Sequence, residues 1–148
     1  SPDQEVRVDA WINLPLLLAY RIVSVQDVKP LAIRYLDLLQ SKSSTVRHLA
    51  WLYVIDILNL NVIQNQDVRP LSGYFLELLQ AQHEGMRMEA WDLVPSFIDR
   101  GIIVPQDVMP LASHFLPLMQ SQNDYIRKRA QATLTELVKR GIVSQVSR

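Results

Sequence analysis

Apolar residues recur along this chain in two alternating kinds of helical stripe. In the first, Val28, Leu31, Ala32, Tyr35, Leu38 and Leu39 fall three or four residues apart, with Lys29, Arg34 and Asp37 on the opposite side. That spacing predicts an amphipathic helix from Asp27 to about Gln40. Asp27 suits its N-cap, because a carboxylate there accepts first-turn N–H groups. Pro30 would then lie in the first turn, where a missing donor costs little. After a short polar turn at 41–44, Val46, Ala50, Val54, Ile57 and Leu58 predict a second helix from about Thr45 to Leu60. Connections this short leave the two helices antiparallel neighbours.

The pair repeats every 40 residues without insertion or deletion. The leading helix returns as Val68, Leu71, Phe75, Leu78 and Leu79, then as Val108, Leu111, Phe115, Leu118 and Met119. Gln26-Asp27-Val28-Lys29-Pro30-Leu31 returns as Gln66-Asp67-Val68-Arg69-Pro70-Leu71 and Gln106-Asp107-Val108-Met109-Pro110-Leu111. Gly101 and Gly141 suit the left-handed position that ends each trailing helix. Asn61 tolerates that position, and Arg21 fits it less well. The β-branched pairs Ile22-Val23, Val62-Ile63, Ile102-Ile103 and Ile142-Val143 follow, placed to plug seams between units. Residues 1–25 match only a trailing helix and its exit; full repeats occupy 26–65, 66–105 and 106–145. A fixed period of this length marks a stacked-repeat architecture. The expectation is one domain over 1–148 with about seven helices, cut out of phase at both ends like a piece of a longer array.

Each trailing helix opens on one motif: Val6-Arg7-Val8-Asp9-Ala10, Val46-Arg47-His48-Leu49-Ala50, Met86-Arg87-Met88-Glu89-Ala90 and Ile126-Arg127-Lys128-Arg129-Ala130. With the Pro-Leu pair of the leading helix and the unit length, it resembles a HEAT/armadillo-type helical repeat protein over essentially the whole chain. The resemblance implies an all-α fold, a right-handed α-solenoid of antiparallel helix pairs used as a scaffold for protein partners. It also implies that the trailing helices line the binding surface, and it brings no catalytic motif. One departure is local. The Asp usual six residues before the Arg is replaced by Ser41, Ala81 and Ser121, with Gln40, Gln80 and Gln120 beside it as polar substitutes.

Composition narrows the function classes. Of the 148 residues 49% are apolar, enough for a continuous core, and no cysteine is present, which excludes disulfides and thiolate chemistry. The net charge is zero, which argues against a general polyanion binder. No apolar run is long enough to span a bilayer, and the start lacks the form of a signal peptide. An intracellular location, cytoplasmic or nuclear, is the matching expectation.

Chemistry-bearing residues are scattered. His48, His83 and His114 occupy three different repeat positions, so no metal site is expected, and nothing calls for a cofactor. No Gly-rich phosphate loop or nucleophile motif occurs, and the reading is of a non-enzyme. Arginine near a helix N-terminus opposes the helix dipole. The recurrence of Arg47, Arg87 and Arg127 therefore requires a local partner, either the carbonyls ending the leading helix or a bound phosphate. Trp11, Trp51 and Trp91 sit about 100° round the helix from the core alanine. They serve either packing between units or an aromatic binding ladder. Pro15 and Pro95 predict kinks midway through two trailing helices, and Pro117 a break late in the last leading helix.

The candidate partner surface is the outward arc of the trailing helices, where units differ: His48, Leu52 and Asp56; Met88, Asp92, Ser96 and Asp99; Lys128, Glu136 and Lys139, with Trp51 and Trp91 at the rim. A protein or peptide is the expected partner. Residues 121–148 carry net +4, against −3 for 81–120. The alternative is therefore nucleic-acid binding through the basic last unit. Ile12 and Leu16 also place apolar surface on the N-terminal helix, which predicts self-association through residues 8–20.

Overall fold

The computed structural model describes residues 2–144, which are helical with short connections and contain no strand among them. The helices are α1 (Pro2–Ile12), α2 (Leu14–Ala19), α3 (Val25–Val28), α4 (Ala32–Leu39), α5 (Ser44–Leu52), α6 (Val54–Asn59), α7 (Asn65–Val68), α8 (Ser72–Leu78), α9 (Glu84–Asp99), α10 (Pro105–Val108) and α11 (Asp124–Lys139). They fall into two compact units, residues 1–74 and 75–148.

Every predicted helix is present, but most are divided, and prolines explain much of the division. The leading helices start earlier than their apolar pattern suggests. Ser24 is the N-cap of α3, and Asp27 lies three residues inside, its carboxylate accepting the Ser24 N–H at 3.1 Å while the Ser24 hydroxyl accepts the Asp27 N–H at 3.2 Å. Asp67 closes the same reciprocal box on Gln64 at 3.0 Å. Asp27 and Asp67 are therefore third helical residues rather than N-caps. Pro30 and Pro70 consequently lie well inside the helix, where the absent N–H breaks the i→i−4 ladder. The chain tightens into 3₁₀ turns at Lys29–Leu31 and Arg69–Leu71 before α4 and α8 resume. With Pro110 and Pro117 both present, the third leading helix after α10 is 3₁₀ at Met109–His114 and again at Leu116–Gln120.

The trailing helices reverse another expectation. Pro95 lies within α9, which continues unbroken from Glu84 to Asp99. The helix of 44–59 has no proline and yet breaks at Tyr53, between α5 and α6. Only Pro15 coincides with a break, at Asn13 between α1 and α2, where the Asn13 side chain donates to the Asp9 carbonyl at 2.8 Å. The ends behave as the sequence requires: Arg21, Asn61, Gly101 and Gly141 all have φ between 58° and 76°. Ile102 and Ile142 N–H groups then reach back to Phe97 and Leu137 carbonyls at 2.9 and 3.0 Å.

In the first unit α4 packs on α5, and the preceding helix lies alongside, α1 against α5 and α2 against α6. Tyr35, Leu38, Leu39, Val46, Ala50, Trp51, Val54 and Ile57 form its core. The Tyr35 hydroxyl donates to the Ala50 carbonyl inside this core. Burial, helped by the Asp56 charge, pushes its pKa well above the usual phenol value. In the second unit α9 and α11 lie side by side over the leading helix of residues 105–120. Phe75, Phe97, Trp91 and Phe115 dominate that core, with Trp91 and Phe115 ring centroids 5.3 Å apart.

One polar arrangement recurs at every turn. Arg47, Arg87 and Arg127 each donate Nη1 to the carbonyl six residues before, of Ser41, Ala81 and Ser121, at 2.7 Å. Trp51 and Trp91 donate Nε1 to the carbonyls of Leu39 and Leu79 at 2.9 and 3.0 Å. These are carbonyls at the end of a leading helix, which lack intrahelical donors. Serine, not glutamine, replaces the aspartate of the resembled motif. Ser41 and Ser121 hydroxyls accept the N–H two residues on and donate to Gln4 and Glu84 at 2.6 Å, whereas Gln40 turns back to the Leu36 carbonyl of its own helix.

Arg87 also donates Nε to the His114 carbonyl at 2.9 Å, so it holds two backbone segments. Arg87→Ala is expected to destabilise the protein by about 1–3 kcal/mol for each carbonyl left buried and unpaired. Arg127→Ala, which releases one backbone carbonyl, should cost less; urea unfolding of the two variants measures the difference.

Candidate functional site

The outward arc survives in part. Asp56, Ser96, Asp99, Lys128 and Lys139 are exposed, and Leu52, Asp92 and Glu136 are half-buried. Four candidates leave it. Trp51 and Trp91 are 0% exposed, and the indole N–H of each is spent on a leading-helix carbonyl, so neither is a binding anchor. Their ring lies at the seam between the two helices of a unit, turned inward from the rim that 100° of rotation suggests. His48 and Met88 are 7% and 1% exposed. Met88 shares a stripe with Asp92 and Asp99, the flank of α9 that α11 covers; the equivalent Lys128 has no such cover and stays exposed.

Within the second unit, four of the named residues come together. The two helices α9 and α11 run side by side in the same direction, and two pairs 41 positions apart meet across them. Asp92 meets Thr133, whose hydroxyl donates to its carboxylate, and Asp99 meets Arg140. A groove of about 360 Å³ follows, lined by Asp92, Pro95, Ser96, Asp99, Thr133, Glu136 and Arg140. Arg140 organises its far end. Its Nε and Nη2 bind the two Asp99 oxygens at 3.1 and 2.8 Å, and its Nη1 binds the Glu136 carboxylate at 2.8 Å and the Glu136 carbonyl at 3.0 Å. Those hydrogen bonds hold the Asp99 carboxyl below the usual aspartate value and raise the guanidinium further; Glu136 is lowered by Arg140 first and Lys139 second. Arg129 pairs with Asp92 at the near end.

The basic side chains of the last repeat lie beside acids, although Asp124 and Glu136 are already counted in its net charge and only Asp92 and Asp99 add to them. Lys128 pairs with Asp124 at 3.0 Å, Lys139 with Glu136 at 3.3 Å, and Arg127 also with Asp124. Arg129, Thr133 and Arg140 were not among the sequence candidates. For Thr133 and Arg140 the signal is a 41-residue offset, one repeat plus one, from Asp92 and Asp99; Arg129 lies 37 residues after Asp92, one helical turn earlier on the same face. In the first unit Leu52 and Asp56 stand on α5 and α6.

His83 caps α9, its Nδ1 accepting the Met86 N–H at 3.1 Å. Among the described residues no group of His, Asp and Glu side chains is arranged to hold a metal ion, and no helix is long and apolar enough to cross a membrane. No protein-family model matches the chain, and neither a curated protein nor a solved structure matches it.

The Asp99–Arg140 pair has a predictable pH signature. Asp99 titrates lower folded than unfolded, so its stabilising contribution is complete above the unfolded value of about 4 and fades as pH falls through the folded one. A carbon-detected NMR titration should place the Asp99 pKa below 3.8 in the parent and return it towards 3.8 in Arg140→Ala. The shift should shrink with added salt, since both groups meet solvent.

Proposed function

We propose that this chain is a non-catalytic interaction scaffold, a HEAT-like right-handed solenoid that binds a protein or peptide partner along the outward arc of its trailing helices. The observation that carries this reading is the division between constant and variable positions. Repeated apolar positions of the trailing helices in the full units, such as Ala50, Ala90 and Ala130 or Val54 and Val94, are buried. Several positions that change from unit to unit, Asp56, Ser96 and Lys139 among them, face solvent, although His48 and Met88 do not. A repeated core under a non-repeating surface is what recognition of an irregular partner requires, and solenoids present such surfaces over several units.

The groove of Asp92, Ser96, Asp99 and Arg140 is the best-formed part of that surface. Its charges are already paired, so it offers fixed, oriented hydrogen-bond acceptors around the small Ser96 rather than a free charge. A peptide with donors in an extended segment suits it, and the polar rim sets register more than affinity. Nucleic-acid binding loses support, because Lys128, Arg129, Lys139 and Arg140 are engaged by acids of the same unit.

Capture from extract treated with nuclease, followed by mass spectrometry, tests the reading when run beside Ser96→Arg. Ser96 is exposed, so the variant should melt with the parent. Loss of the captured partner at unchanged melting temperature is expected. Equal capture by both proteins would remove the groove from the binding surface. Filter binding of an oligonucleotide across salt concentrations should give no more than weak, non-specific retention.

A further inference from the structure

Pro117 stands where the two earlier leading helices have Asp37 and Glu77. Those helices resume as α-helix over Ala32–Leu39 and Ser72–Leu78, after 3₁₀ turns of three residues. The third stays 3₁₀ over Met109–His114 and again over Leu116–Gln120. Runs of that pattern longer than about four residues are uncommon, because its hydrogen bonds are poorly aligned. Pro117 also strips the His114 carbonyl of a helical partner. In the 3₁₀ pattern its donor is the N–H of residue 117, which proline lacks. In the α pattern its donor is the Leu118 N–H, which goes instead to the Phe115 carbonyl at 2.9 Å. Arg87 of α9 takes the place of both. Its Nε donates to the His114 carbonyl at 2.9 Å while its Nη1 holds the Ala81 carbonyl at 2.7 Å. Beneath the segment Phe115 and Leu118 are fully buried, Phe115 against the ring of Trp91.

We propose that residues 109–120 are an opening element of the second unit, latched by Arg87 on the His114 carbonyl. A segment whose backbone bonds are weak opens ahead of the helices it packs on. This one combines two 3₁₀ runs with Pro110 and Pro117, which remove two backbone donors. The latch is a single bond, so its release frees the segment while α9 and α11 stay side by side. Opening uncovers Phe115 and Leu118 and turns the seam against Trp91 into an apolar cleft inside the unit. Pro117 and Arg87 act as a pair, since the proline creates the acceptor that the arginine holds. The device is independent of the Ser96 groove and of what binds there.

Amide hydrogen exchange of the whole chain tests this, corrected for intrinsic rates and read at Phe115 and Leu118 against Ala130 and Leu137 of α11. In the parent the first pair should exchange at least ~10-fold faster than the second, a gap of about 1.4 kcal/mol in opening free energy. Arg87→Lys keeps the charge but gives up the Nε donor and the fork that reaches two carbonyls. It should widen the gap at least ~10-fold further. Pro117→Ala restores the missing N–H and should close the gap to within ~3-fold; in that background Arg87→Lys should change it by less than ~3-fold, because coupled residues lose their separate effects. Phe115 and Leu118 exchanging in step with α11 in the parent would overturn the proposal. So would an Arg87→Lys effect of equal size with and without Pro117. If Arg87→Lys does not fold, Pro117→Ala decides alone, and a gap as wide as the parent's refutes the latch.

Discussion

The carbonyls that end each leading helix must find donors away from water. A helix leaves its last four C=O groups unpaired, and here that end is pressed into the seam with the following helix. In the repeats of Arg47 and Arg87 the trailing helix resolves this with two side chains, an arginine to the turn and a tryptophan to the carbonyl two residues earlier, whereas in the last repeat Arg127 acts without a tryptophan, Gln131 standing in that place. An unpaired buried carbonyl costs about 1–3 kcal/mol, so both residues are fixed by the geometry and recur at the same offset. The cost of placing a cation at a helix N-terminus is offset because the guanidinium leaves its own helix and neutralises the C-terminal end of another.

With those ends fixed, the two helices of a unit hold their crossing around a repeated apolar seam. Tyr35, Phe75 and Phe115 reach into the seam from the leading side. Where the aromatic residue is tyrosine its hydroxyl is also spent inside, on the Ala50 carbonyl. Residues outside the seam are free to differ, and they do: Asp56, Ser96 and Glu136 occupy equivalent places with different charge and size. In the second unit those differences build the Arg140-centred cluster.

Much of this was legible in the sequence, and the misses have physical causes. The period locates every helix, and the dipole argument calls for a local partner for each arginine, carbonyl or phosphate; the structure supplies the carbonyls. Residue type alone makes Asp27 an N-cap and so sets the helix start three residues late. The capping box places it at the third position, which a reading of Ser24 three residues earlier shows. The tryptophans were assigned to the rim from their angle relative to alanine. Helical angle says nothing of how closely the partner helix approaches, and that approach closes over Trp51 and Trp91. Pro95 illustrates the opposite error. Proline removes one bond without forcing a break, while Tyr53 divides its helix with no residue that announces it. The predicted apolar side of the first helix is real but rotated. Val6, Tyr20 and Ile22 are its most open members, ahead of Leu16, while Leu14 is buried.

The account turns on whether the seam is held by those side-chain donors rather than by apolar packing alone. Trp51→Phe keeps an aromatic ring in the seam and removes the donor to the Leu39 carbonyl. Urea unfolding of that variant should show a loss of about 1–3 kcal/mol, the cost of one buried acceptor left unpaired. A stability within about 0.5 kcal/mol of the parent, the range of ordinary surface substitutions, would contradict the claim that paired carbonyls fix the repeat.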